Sequence, residues 1–204
     1  KPFGQLKHFF HAGRAGAPKL LIVAPMSGHF ATLLRGTVER VLPGHDVWIT
    51  DWKDARDVPL TGGGFDLESY IDYVIEWLEH IGEGAHVLAV CQPSVPCYAA
   101  AAIMGASGHP CRPKTLTMMG GPIDTRECPT AVNDHATTKP HDWFVHNVIA
   151  TVPPYYKGAG RRVYPGFLQL SGFMSMNLGN HMVSHWHMFS DLVEGDGESA
   201  DKHK

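Results

Sequence analysis

Much is missing from this sequence, and each absence narrows what the chain can be. Only four of its 204 residues are cysteine, at positions 91, 97, 111 and 128, with no C-x-x-C pair among them. That excludes a disulfide-rich scaffold and fits a reducing, cytosolic compartment. No apolar run approaches the roughly 18 residues of a membrane span, so none is expected. There is no basic excess: 17 Lys and Arg stand against 20 Asp and Glu, for a net charge of -3. A nucleic-acid partner is therefore not expected. Repeats and low-complexity tracts are absent too. The chain opens on Lys-Pro-Phe-Gly without a Met or a signal-peptide apolar region, and the expectation is a piece of something longer.

What is present is an ordinary apolar content of 44%, enough in 204 residues for one domain with a real core. The 14 histidines are many, but a count does not locate a site.

Read in order, Gln5 to His11 is a plausible strand. Lys19 to Ala24 is a continuous β-rich apolar run, the signature of a strand buried on both faces. Pro25-Met26-Ser27-Gly28-His29 breaks it. Ala31 to Leu42 has helical spacing at Leu33, Leu34, Val38, Val41 and Leu42, and Pro43-Gly44 ends it. Asp46 to Thr50 is the next strand, followed by Asp51-Trp52. Gly62-Gly63-Gly64 marks a flexible turn. It is no phosphate loop, because no strand precedes it and no Gly-Lys-Ser/Thr follows. Asp66 caps a helix to about Ile81, with Leu67, Tyr70, Ile71, Val74, Leu78 and Ile81 on its face and Trp77 at the margin. A strand over 86–91 leads into a helix to about Met104. Lys114 to Met119 is a further strand, closed by Gly120-Gly121-Pro122.

Strands alternating with helices imply right-handed crossovers and a mostly parallel sheet. Ligands on such sheets bind beyond the carboxyl ends of the strands. Those ends carry Pro25–His29, Asp51–Trp52, Cys91–Gln92 and Gly120–Asp124. The expected fold class is α/β and α/β-hydrolase-like, with crossover helices and a helical cap, and lacking the last strands. Residues 1–124 form the partial core with its nucleophile elbow. Residues 125–204, rich in aromatics and Met and broken by Pro129, Pro140, Pro153, Pro154 and Pro165, form a truncated cap or lid.

The centre of this organisation is His86 to Ala100. An apolar strand turns at Cys91 into an Ala-rich helix with Pro early in it, which is the geometry of a nucleophile elbow. The thiolate is the reactive form of cysteine, and a helix N-terminus favours negative charge. The N–H of Gln92, the residue after the elbow, would face an oxyanion site. The pattern departs from G-x-S-x-G, with Ala89 and Pro93 at the glycine positions and Cys for Ser. On this pattern Cys91 is either an acylating nucleophile or a small buried core residue, a common fate of free cysteine.

The loop after the first central strand supplies the second oxyanion N–H in this architecture, and Met26 is the expected donor, with Ser27 next. His29 either lines the pocket or is an ordinary loop histidine, the commoner case. His181 and His185 have the i, i+4 spacing of metal ligands on a helix. No Glu follows the first of them and no Cys or carboxylate joins them, so no metal or other cofactor is expected. Asp124 stands where a catalytic acid could, but a turn or cap role is the preferred reading. No histidine after residue 125 follows a strand-like run. The simplest account is a chain cut before its acid and base.

Several motifs in order resemble the bacterial intracellular poly(3-hydroxybutyrate) depolymerases. They are Ala24-Pro-Met-Ser-Gly-His29 through Arg35, Ile49-Thr-Asp-Trp52, Cys91-Gln-Pro-Ser-Val-Pro96, Thr117 to Asp124, Pro129 to Asn133 and Arg161 to Gln169. The resemblance covers nearly the whole chain. It implies an α/β-hydrolase that cleaves intracellular polyester, with a Cys nucleophile in a modified lipase box at Cys91 and a thioester intermediate. It implies a cytoplasmic enzyme at the surface of polyhydroxyalkanoate granules, with the granule polymer as its partner. It places the acid and the histidine after Lys204 and a further segment before Lys1, so the fragment alone would be inactive. Two rivals stand beside it: a polyester synthase-like acyltransferase using the same elbow, and a non-catalytic granule-binding module.

Overall fold

The computed structural model describes residues 1–10, 13, 16–26, 31–175 and 177–201. It divides into two compact units, one of residues 1–127 with 149–163 and the other of residues 128–148 with 164–204.

The first unit is built on five strands: β1 (Gly4–Phe9), β2 (Lys19–Val23), β3 (Asp46–Trp52), β4 (His86–Val90) and β5 (Thr115–Met119). Their spatial order is β1-β3-β2-β4-β5. β3, β2, β4 and β5 run parallel, and β1 pairs antiparallel along the outer edge of β3. Helices α1 (Arg35–Val41), α2 (Leu67–Ile81) and α3 (Ser94–Ala106) occupy the crossovers. The apolar run of β2 is divided by the pleat. Leu21 and Val23 join one core cluster with Tyr70, Val74, Leu78, Cys97 and Ala100 of α2 and α3. Leu20 and Ile22 join the other cluster with Leu34 and Val38. Alternate side chains of one strand thus supply two cores, which is why that strand has no polar face. This is a mostly parallel sheet with a core on each face, the α/β class that was expected.

Several details differ from the sequence expectation. β3 runs on to Trp52, which extends the strand through Asp51. The helix over 31–41 opens with a 3-10 turn at Ala31–Leu34. On α2, the Asp66 carboxylate caps Ser69 N–H at 2.8 Å, as expected. Trp77 and Tyr73 are buried, while Leu67 is exposed. The reason is a ring cluster: Trp52 meets Phe65, Tyr70, Tyr73 and Trp77 within about 6 Å, which turns that side of α2 inward.

Residues 149–163 fold with the first unit. They contain two short antiparallel strands, β6 (Ala150–Thr151) and β7 (Arg162–Val163). The buried Arg161 guanidinium donates to the carbonyls of Val58 (3.1 Å), Pro59 (2.7 Å) and Gly63 (2.8 Å). It also lies over the Phe3 ring. Gly158 N–H donates to Arg56 O at 2.7 Å, and a Cβ at 158 would stand within 2.8 Å of three carbonyl oxygens. The segment 56–63, which runs into the glycine-rich turn, is therefore the acceptor half of a clamp.

The second unit is helical: α4 (Ala131–Thr138), α5 (His141–Asn147), α6 (Gly166–Ser175), α7 (Leu178–Glu194) and α8 (Gly197–Asp201). Thr130 and Asn133 form a reciprocal capping box at the start of α4. α7 ends on Gly195 in the left-handed region. No helix among the described residues is long and apolar enough to cross a membrane.

Candidate active site

β4 ends at Val90 and α3 begins at Ser94, so the chain reverses direction within three residues. Cys91 sits at the corner with φ of 66°, one of two non-glycine residues in positive φ among those described. A side chain in that conformation costs about 1–2 kcal/mol. Such strain persists only where the surroundings enforce it, and here they do. Cys91 N–H donates to Met119 O at 2.7 Å, which carries the β4–β5 ladder one step past the strand. Cys91 O accepts from Ser94 N–H at 3.0 Å, which closes the turn. The Cys91 thiol is exposed. Of the two sequence alternatives, a buried core thiol does not describe it.

Cys97 is the opposite case. It is buried against the sheet, and burial pushes its thiol up to about 12. At neutral pH it is an inert filler of the core.

The helix start is built for the turn. The first α-helical bond is Cys97 N–H to Pro93 O, so an N–H at positions 93 to 96 would find no acceptor within the helix. Pro93 and Pro96 occupy two of those four positions, where a missing N–H costs nothing. Below the elbow, Ser94 is fully buried and its hydroxyl has no partner among the described residues. Gly121 lies directly against it, and a Cβ at 121 would overlap Ser94 Oγ and stand 3.1 Å from Cys91 O. The glycine pair after β5 thus lets that strand end approach the elbow.

Met26 follows β2 by three residues. The backbone leading to it is fixed from β3: Thr50 Oγ1 accepts the Ala24 N–H at 2.9 Å, and Trp52 Nε1 donates to Ala24 O at 2.8 Å. Met26 N–H then donates to the side-chain Oε1 of Gln92 at 3.1 Å. The two expected N–H donors are therefore joined through a side chain, a contact that no local pattern marks. Among the described residues, nothing accepts from the Gln92 N–H. Ser27, Gly28 and His29 lie outside the described residues.

The Asp124 carboxylate accepts from Arg126 N–H (3.0 Å), Nε (2.9 Å) and Nη2 (2.7 Å). Those bonds to Arg126 hold its carboxyl below the usual range. It behaves as a turn residue, and among the described residues no histidine is bonded to it or to Cys91. His181 and His185 lie exposed on α7. No cluster of three His, Cys, Asp or Glu among the described residues could hold a metal ion.

A family model described as PHB de-polymerase C-terminus matches residues 120–204. No curated protein matches the sequence. Among solved structures, the chain is similar to the type II thioesterase BorB from the borrelidin biosynthetic cluster, with 13% identity and a TM-score of 0.47. That likeness covers 72% of this chain and 57% of the thioesterase, so the chain spans less than two thirds of it.

Proposed function

We propose, from the premise that residues 120–204 are a PHB depolymerase C-terminal region and support a hydrolase-type function, that this chain supplies the nucleophile of a poly(3-hydroxybutyrate) hydrolase. Cys91 is that nucleophile. The observation that carries the reading is its positive φ on an exposed strand-to-helix corner.

The thiolate sulfur of Cys91 adds to an ester carbonyl carbon, and the carbonyl π electrons move to oxygen. The N–H groups of Gln92 and Met26 hold that oxyanion. Collapse reforms the carbonyl and expels the polymer's alkoxide, which takes up the proton the thiol gave. The products are a Cys91 thioester and a shortened chain bearing a hydroxyl. Water then cleaves the thioester to the free acid and the thiol.

The second unit supports a polyester substrate held at a granule surface. Leu178, Met182, Trp186, Phe189 and Val193 form an i, i+4, i+8, i+11, i+15 stripe along α7, and each is more than half exposed. An exposed apolar stripe of this size fits an apolar polymer surface.

The test replaces Cys91 by Ala in the full-length protein. Hydrolysis of amorphous granules should disappear, and the adduct formed with an activated 3-hydroxybutyrate ester should vanish from the Cys91 peptide. Undiminished hydrolysis would sink the nucleophile assignment. Consumption of hydroxybutyryl-CoA with granules left intact would favour an acyltransferase, and granule binding without hydrolysis a binding module.

A further inference from the structure

The Gln92 side chain sits on the N–H that the reaction is proposed to use. A backbone N–H cannot serve the substrate oxyanion while an amide oxygen holds it at 3.1 Å. The amide oxygen carries partial negative charge and accepts N–H donors much as an oxyanion does. Gln92 is exposed, so its side chain can swing into water. Its backbone is fixed independently, by the Cys91 bonds to Met119 and Ser94, so the swing leaves the Gln92 N–H in place. On the other side, Thr50 and Trp52 fix Ala24 whether or not Gln92 is bonded to Met26.

The geometry points to Gln92 as a resident occupant of the oxyanion site: its side-chain oxygen holds Met26 N–H while the site is empty and yields it to the substrate oxygen. This rests on the nucleophile reading above. The exchange is favourable because a neutral amide oxygen gives way to a charged one, and charge-assisted hydrogen bonds are roughly twice as strong as neutral ones. The covalent step is unchanged, and Gln92 gains and loses only a hydrogen bond.

The rival role is a brace, in which the same bond holds the Met26 loop in its working place. Two variants separate the roles by opposite rank orders. Gln92→Ala frees Met26 N–H and removes any brace. Gln92→Glu keeps an acceptor on Met26 N–H and makes it charged. In the full-length protein, single-turnover acylation by p-nitrophenyl 3-hydroxybutyrate should rise about 2- to 10-fold in Q92A, the worth of one neutral hydrogen bond. It should fall about 100-fold in Q92E, the scale of losing one oxyanion donor. The Q92E deficit relative to wild type should shrink as pH drops through the ordinary glutamate range near about 4.3, where the occupant becomes neutral. A brace alone predicts no such pH profile.

A second readout needs no catalysis. With 15N-methionine labelling, hydrogen exchange of the Met26 amide should speed up in Q92A. A tenfold loss in Q92A, equal rates in all three proteins, or unchanged Met26 exchange would each overturn the inference. Failure of the nucleophile reading looks different, because the Cys91→Ala protein would then still be acylated.

Discussion

Trp52 reaches from the end of β3 to donate its indole N–H to Ala24 O at 2.8 Å, while Thr50 on the same strand takes the Ala24 N–H at 2.9 Å. Both polar groups of one backbone unit are thus held by a neighbouring strand, at the point where β2 gives way to the loop bearing Met26. Ala24 and Thr50 are fully buried, so neither group has water as an alternative. Thr50→Val preserves shape and strands a buried N–H, which should cost about 1–3 kcal/mol in urea unfolding. It should also slow acylation of Cys91, because the loop loses its anchor. Wild-type stability in T50V would show that Ala24 is not held from β3.

Gly121 packs against Ser94 with no room for a methyl group. Gly121→Ala should therefore push β5 away from the elbow and destabilise the protein by about 1–3 kcal/mol, the usual cost of overpacking. Ser94→Gly in the same chain should restore most of that loss, since it removes the atoms in the way. Ser94→Ala alone should be neutral or slightly stabilising, because it deletes a buried hydroxyl that has no partner among the described residues. Thermal unfolding of the four proteins checks the set. A strongly destabilised S94A would mean that the hydroxyl has a partner.

The fold was legible wherever local pattern decides it. The apolar runs at 19–24 and 86–90 became the central strands, and the Asp66 cap and Gly82 bounded α2. The corner at Cys91 could be read because strand, small residues and helix follow one another in sequence. What escaped was set by side chains meeting across long separations. Arg161 and Val58 are 103 positions apart, so nothing local marks residues 149–163 as part of the first unit. Tyr73 lies off the helical stripe and is buried because Trp52 draws it in. The Gln92–Met26 bond spans 66 positions and depends on one rotamer. Periodicity does not report such contacts.

Arg161 is a buried cation whose hydrogen-bond partners are three carbonyl oxygens. Arg161→Met keeps much of the volume but takes the guanidinium donors from the carbonyls of Val58, Pro59 and Gly63, of which Pro59 O keeps the Gly62 N–H at 2.9 Å. The loss should be about 3 kcal/mol, in the range for breaking a buried charged network. Limited proteolysis should then cut first near Gly62–Gly64 or within 149–163, the two segments the guanidinium joins. Unaltered cleavage and stability in R161M would show that the clamp contributes nothing.

The two thiols of α3 and its elbow should separate cleanly by reactivity and by pH. Cys91 is exposed and should react with a thiol reagent in the native protein, while Cys97 should react only on unfolding. Cys97 has its thiol raised by burial from 9.0 to about 12, so the folded state resists ionising it where the unfolded state does not. The stability it contributes is full below pH 9 and is lost as pH rises towards about 12. Each pH unit in that window removes about 1.4 kcal/mol per group. Tyr70 is also raised well above its ordinary 10.0 by burial, and it adds to the slope above pH 10. Urea unfolding from pH 8 to 11 should show stability falling above pH 9 in the wild type. In Cys97→Ala that fall should start only above pH 10, and in the Cys97→Ala, Tyr70→Phe double variant the contribution of both groups should be gone. The slope is the quantity to read, because the small cavity left by Ala lowers stability at every pH alike. A wild-type profile flat between pH 9 and 11 would show that Cys97 ionises as readily in the folded chain as in the unfolded one.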